Sequence, residues 1–150
     1  MAITTNAIAN SFKKQLLEAT HNFKASGGNT FKLAMYTNAA TLGKSTTAYA
    51  ANPGGGSNTE VTSANYSAGG SALVNTGTSL ATNTAITDFS DLSFTGVTLT
   101  ARGALIYNDT ASGDPAVAVL DFGGDKTASA GTFTIQFPAF TTSAAILRIA

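Results

Sequence analysis

Four carboxylates crowd into one part of this 150-residue chain: Asp109, Asp114, Asp121 and Asp125. Calcium takes roughly six to eight oxygen ligands, commonly from one tight loop. The EF-hand spacing is absent, and Asp109 and Asp114 bracket a turn, where Asp bonds local backbone N–H groups. Turn chemistry is therefore the reading, with no metal and no cofactor expected. A hydrolase built on paired carboxylates needs two acids converging on a cleft, and nothing in the sequence brings two together. Asp121-Phe122-Gly123 copies the metal-binding triplet of protein kinases. The glycine-rich phosphate loop, the lysine strand and the catalytic loop that give the triplet meaning are missing. His21 is the single histidine and there is no cysteine. A nucleophile–His–Asp set would have to use His21, which falls beside an apolar stripe and reads as a partly exposed helix residue. No catalytic residue is assigned, and the chain is read as a non-enzyme. Arg102 follows a strand and Arg148 lies inside one. Charges in strands stand on an exposed face or are paired, so each is a candidate for an intersubunit salt bridge.

These residues sit on a framework of turns and short strands. Ile8, Phe12, Leu16, Ala19 and Phe23 recur every three or four positions, which predicts a helix from about residue 6 to about residue 24, within a pattern that starts at Ala2. Thr5 or Asn6 is its expected cap and Gly27-Gly28 its expected stop. Thr30 to Thr37 alternates, predicting a strand with Phe31, Leu33 and Met35 on its one buried face. From Asn38 to Gly77 the pattern loosens, and Asn52-Pro53-Gly54-Gly55-Gly56-Ser57-Asn58 predicts a mobile loop. Short strands are expected at Glu60–Val61 and at Ala72–Asn75. Six more follow: Ala85–Phe89, Leu92–Leu99, Ala104–Tyr107, Ala116–Phe122, Thr132–Phe137 and Ala145–Ile149. Turn signals separate most of them, at Asn108-Asp109, Ser112-Gly113-Asp114-Pro115, Gly123-Gly124-Asp125 and Gly131. The stretch from Val97 to Phe137 thus reads as three strands and two turns. The fold class is mainly β: an N-terminal helical segment, residues 1–28, followed by an antiparallel β-sandwich or jelly-roll-like barrel, residues 29–150, in a single domain.

Composition narrows the function classes. Charged residues make up 11% of the chain and balance to zero, against about 25% in an ordinary soluble domain. Such a surface resists association poorly, which suits a protein covered within an assembly. Eight scattered basic residues form no patch able to neutralise a run of phosphates, so no nucleic-acid partner is expected. No apolar run approaches the roughly 18 residues of a membrane span, so no membrane partner is expected either. Lys13 and Lys14 interrupt the only candidate for a secretory signal.

Two blocks carry a family resemblance. The first is Asn10-Ser11-Phe12-Lys13-Lys14-Gln15-Leu16-Leu17-Glu18-Ala19-Thr20-His21-Asn22-Phe23 with Phe31-Lys32-Leu33-Ala34-Met35-Tyr36-Thr37. The second is Thr98-Leu99-Thr100-Ala101-Arg102-Gly103-Ala104-Leu105-Ile106-Tyr107-Asn108 with Ala118-Val119-Leu120-Asp121-Phe122-Gly123-Gly124-Asp125-Lys126 and Phe133-Thr134-Ile135-Gln136-Phe137-Pro138. Together they resemble a family of small virion-associated structural proteins of tailed bacteriophages from marine and freshwater sources. The resemblance spans most of the chain except the loop from about Ala50 to Asn58. It implies a location, the virion, assembled in the host cytoplasm, and brings no catalytic residues. Two functions follow as expectations. One is a capsid decoration or cement protein, a homo-oligomer and in particular a trimer, bound to the major capsid protein or other virion proteins. Its contacts would run through Phe12, Leu16, Phe23, Arg102 and Arg148. The other is a tail or head fibre module touching the host surface through the Gly-rich loop and Tyr49, Tyr66 and Tyr107.

Overall fold

The computed structural model describes residues 3–150. In chain order the elements are β1 (Ala7–Ile8), α1 (Asn10–Leu17), β2 (Phe31–Tyr36), β3 (Ser71–Ala72), β4 (Asn75–Ala81), β5 (Thr84–Phe89), β6 (Leu92–Asn108), β7 (Ala116–Ile135) and β8 (Leu147–Ile149). They form two antiparallel sheets, one in the order β1-β7-β6-β2-β3 and one in the order β4-β5-β8. The chain is mainly β, a sandwich of two open sheets with one short helix at its N-terminal end. Phe89 and Leu147 of the smaller sheet share one core with Phe31, Leu33, Leu105, Ile106, Val117 and Val119 of the larger.

The N-terminal segment departs from its periodicity. Residues 7 and 8 are strand, paired with Val119 and Ala118, and the Ala9 N–H bonds the Val117 carbonyl at 3.0 Å. Sheet pairing there displaces the first turn of the expected helix. Asn6 serves the sheet instead of capping, since its Oδ1 accepts the Asp121 N–H at 2.7 Å, and α1 starts at Asn10 behind Ala9, an N-cap residue that makes no side-chain bond. Ala2, where the periodic pattern begins, lies outside the described residues. The helix stops well before Gly27. Ala19 takes a left-handed φ of 57°, the Thr20 N–H reaches the Gln15 carbonyl at 3.0 Å, and the Ala19 N–H reaches Leu16 at 3.2 Å. This is a Schellman ending, with alanine where glycine is free of strain. Phe23 is therefore not on α1. It reaches the same core along an extended return, its ring stacked on Phe31 at 4.3 Å and 4°.

Strand β2 matches the alternating stretch, but it is buried on both faces. Ala34 and Tyr36 are as fully covered as Leu33 and Met35. The excursion from residue 38 to 70 folds over the second face, and the Tyr36 hydroxyl donates to the Ala50 carbonyl at 2.8 Å. The largest departure lies in β6 and β7. Expected as four strands, they are two, of 17 and 20 residues, running side by side. Gly123-Gly124-Asp125 is not a turn between strands but part of a bulge. Ala101 opposes Lys126 while Gly103 opposes Asp121, so Phe122–Asp125 loop out opposite Arg102 alone. Gly123 takes φ 74° there, a conformation that glycine adopts without penalty. Gly131 likewise stays in the ladder, opposite Val97. A local turn signal became a bulge because β6 continues alongside and holds both flanks in register.

Candidate assembly surface

The contact residues expected from the sequence fall into three settings. Phe12 is 2% exposed and belongs to the core, its ring 4.8 Å from His21 and 6.0 Å from Phe23. Leu16 is partly buried against that core. Arg102 and Arg148 are engaged within the chain. Arg102 Nε lies 3.3 Å from Asp121 Oδ1, but off the hydrogen-bonding direction, so the contact is ionic and the Nε–H has no acceptor. Arg148 Nη1 donates to the carbonyls of Ser143 at 2.8 Å and Thr142 at 3.4 Å. Arg102 and Arg148 stand in different sheets and do not meet at one site.

Four of the five do converge. Phe12, Leu16, Phe23 and Arg148 line one cleft of about 390 Å³ between α1 and the inner face of the β4-β5-β8 sheet. Ile8, Ala85, Ile86, Leu147 and Ile149 complete its apolar wall, and Lys13 and Arg148 are the charged residues on it. Register sets its sheet wall. Thr78, Thr87 and Leu147 form one cross-strand row, and Leu80, Ala85 and Ile149 form the next on the same face. In the first row Thr87 and Leu147 are buried, and in the second Leu80 is 70% and Ile149 62% exposed. Ile8 and Leu17 add to the exposed apolar set. The sequence pattern missed Leu80 because Asn75–Ala81, rich in Thr, Ser and Asn, did not read as a strand.

A wider trough of about 920 Å³ runs under the bend of β7, between β1 and Gln136–Pro138. Its wall mixes Asp121, Lys126, Thr132 and Thr134 with Phe122 and Phe133. It gathers none of the five expected contact residues.

Two buried polar hubs brace the interior. His21 is 8% exposed, so the expected partly exposed helix residue is instead a buried residue past the helix. Its Nε2 faces Gln15 Oε1 and its Nδ1 faces Asn108 Nδ2, both at 3.0 Å. Since Asn108 Nδ2 can only donate, Nδ1 accepts and Nε2–H donates, which fixes the neutral tautomer. Burial lowers the His21 pKa to about 4. The second hub is Glu60, whose carboxylate accepts Tyr49 at 2.7 Å, Tyr66 at 2.8 Å and the Gly69 N–H at 2.7 Å. Burial, and then the neighbouring Glu60, push the hydroxyls of Tyr36, Tyr49 and Tyr66 well above the usual tyrosine range. Tyr107 donates to the Gly69 carbonyl at 2.7 Å. Tyr66 and Tyr107 are buried and Tyr49 is half-buried against the core. The tyrosines expected to form a host-contact surface are thus tied into the interior, Tyr49 and Tyr66 through Glu60 and Tyr107 through the Gly69 carbonyl.

The loop from residue 52 to 58 is pinned at both ends. Asn52 Oδ1 accepts the Thr59 N–H at 3.2 Å, and the Thr41 N–H bonds the Pro53 carbonyl at 3.0 Å. Gly55 and Gly56 form its open tip. Of the four carboxylates, Asp109 pairs with Lys32 at 3.1 Å, and Asp121 pairs with Arg102 and receives the Gly123 N–H at 2.9 Å. Among the described residues no three His, Cys, Asp or Glu side chains are placed to hold a metal ion. No known protein family, curated protein or solved structure matches the chain.

Proposed function

We propose that this chain is a structural protein of a bacteriophage particle, a decoration or cement protein that binds the head shell and works by contact. The observation that carries the reading is the apolar cleft with an apolar row at its edge, where Leu80 and Ile149 stand exposed. Large apolar residues gathered in one patch mark a surface that another macromolecule covers. A charge-poor chain with zero net charge is suited to that covered state. Many such contacts repeated over a shell make a weak individual contact effectively permanent. The partners in this reading are the major capsid protein and further copies of the chain, as a trimer, in the assembled virion.

The alternative is a fibre module. It draws support from the exposed face of the outer β6–β7 ribbon, which carries Ser93, Thr95, Thr98, Thr100, Thr127 and Thr134, hydroxyl groups suited to adaptable polar contacts. Copy number separates the two. The chain should be present in purified particles at a level comparable with the major capsid protein, measured by band intensity and by reconstruction of the particle. A tail-like copy number would transfer the assignment to the fibre reading. Absence from the particles would end both.

A further inference from the structure

Resting on the reading of the cleft as an assembly surface, the geometry points to its occupant. We propose that the cleft receives Phe140 of a second copy of this chain, as a knob entering a hole.

The cleft has an apolar wall, and the rim beyond it is apolar too, with Leu80 70% and Ile149 62% exposed. A small ligand would fill the cavity and leave that rim in water. An occupant that fills the one and covers the other is broader than the cavity and carries a projecting apolar group. At about 390 Å³ the cavity lies at the small end of the range for small-molecule sites, ~300–1,000 Å³, and is ample for one aromatic ring.

The same chain carries such a group. Phe140 is a large aromatic side chain left 40% exposed, and it does not line its own cleft. It stands on a turn from residue 136 to 146 that contains no charged residue, so the turn can be desolvated without stranding a charge. The turn is also held still. On one side Phe137 packs its ring on Phe89 at 5.6 Å and donates its N–H to Asp91 at 2.8 Å. On the other, Ala145 is buried, and the Ala145 N–H closes on Thr141 at 2.9 Å. Arg148 Nη1 bonds the carbonyls of Thr142 and Ser143. A fixed knob has little ordering entropy left to lose on docking. Lys13, which has no ion-pair partner among the described residues, stands at the cleft, where the face of an aromatic ring is a favourable neighbour for an ammonium group.

Knob and hole are different patches of one chain, so the contact is heterologous. Heterologous contacts close into rings or run on as filaments, whereas a two-fold dimer needs a patch that meets itself. A trimeric ring is the closed form that agrees with the proposed assembly.

The test uses two variants, each keeping one half of the contact. Phe140→Asp removes the knob. Ile149→Asp spoils the rim at an exposed edge residue, so the fold is preserved, which circular dichroism and thermal melting check. Light scattering and sedimentation equilibrium over a concentration series should show the wild type associating. Each variant should associate about 30-fold more weakly or worse, the factor of a contact hot spot. Phe140→Leu should restore association. Mixed in equal amounts, the two aspartate variants should form one-to-one dimers and nothing larger, because only one intact knob and one intact hole can meet. A wild type that stays monomeric, a Phe140→Asp variant that associates like the wild type, or a mixture that stays monomeric overturns the proposal. A monomeric wild type that is nevertheless abundant on the particle overturns this contact and leaves the shell reading standing. Association through Phe140 in a chain missing from the particle does the reverse.

Discussion

Strands β6 and β7 lie side by side along their whole length, yet their two halves live in different surroundings. In the inner half, Gly103–Tyr107 pairs with Asp121–Ala116 and is flanked by β2 on one side and β1 on the other. Both faces are buried, and the sequence there is a nearly unbroken apolar run, Ala104-Leu105-Ile106-Tyr107 against Ala116-Val117-Ala118-Val119. In the outer half, Leu92–Ala101 pairs with Ile135–Lys126, and among the described residues no third strand joins either side. One face carries buried Phe94, Val97, Leu99, Phe133 and Ile135, and the other exposes hydroxyls. Ser93 and Thr134 meet at 2.8 Å, as do Thr100 and Thr127. The inner half is a two-sided core and the outer half a one-sided ribbon with open edges. One hairpin thus serves two purposes, stability at one end and presented surface at the other.

The contrast predicts a graded set of costs. The largest belongs to the inner half. Leu105→Ala should lower unfolding free energy by about 2–5 kcal/mol in urea denaturation, since Leu105 is fully buried and its neighbours cannot collapse into the gap. A loss below about 1 kcal/mol would break the comparison, because the inner half would then be as forgiving as the ribbon.

The next effect is set by pH and also enters through the inner half, where His21 holds Asn108. His21 titrates at about 4 when folded and near 6.5 when unfolded. Between those values the unfolded chain binds the extra proton, so stability is full above pH 6.5 and falls as pH drops toward 4. Each pKa unit is worth about 1.4 kcal/mol, so the total loss is about 3 kcal/mol. Asp88 acts with the opposite sign. Burial raises its pKa, so its contribution is present below the ordinary carboxylate range and is lost as pH rises through the raised value. Melting temperature against pH should therefore fall on the acid side in the wild type. His21→Gln should flatten that fall, and Asp88→Asn should steepen it. An unchanged acid slope in His21→Gln would remove His21 from the account.

Smaller still is the end of α1, just before Thr20, whose carbonyl accepts Asn108 Nδ2 at 3.4 Å. Ala19 holds φ 57°, a conformation costing a non-glycine residue about 1 kcal/mol. Ala19→Gly should raise stability by up to about 1 kcal/mol, and a loss would show that the alanine methyl is needed where it stands. The smallest effect lies on the ribbon. Thr100→Ala and Thr127→Ala should each change unfolding free energy by no more than about 0.5 kcal/mol, because both side chains are exposed. A larger cost would mean that the hydroxyl face is structural and the contrast between the halves is false.

The sequence by itself determined the β-rich class, the alternating strand at Thr30–Thr37, the turn at Ser112–Pro115, the final strand, and the grouping of Phe12, Leu16 and Phe23 as apolar partners. Those signals are local: side-chain period, β-branching and glycine are written within a few neighbouring residues. Tertiary structure decided what each signal became. Gly123-Gly124 reads as a turn in isolation, and the continuous β6 beside it makes it a bulge. Phe23 sits in phase with a helix, yet it reaches the core after α1 has ended, because the ring of Phe31 offers it a stacking place. Tyr49 and Tyr66 look like surface contact residues until Glu60 draws them inward. Whether an apolar row is core or open surface depends on an element arriving from elsewhere in the chain. Leu80, Ala85 and Ile149 form such a row, and Leu80 and Ile149 stay exposed. That row appears in no local pattern, because it is set by the register of three strands.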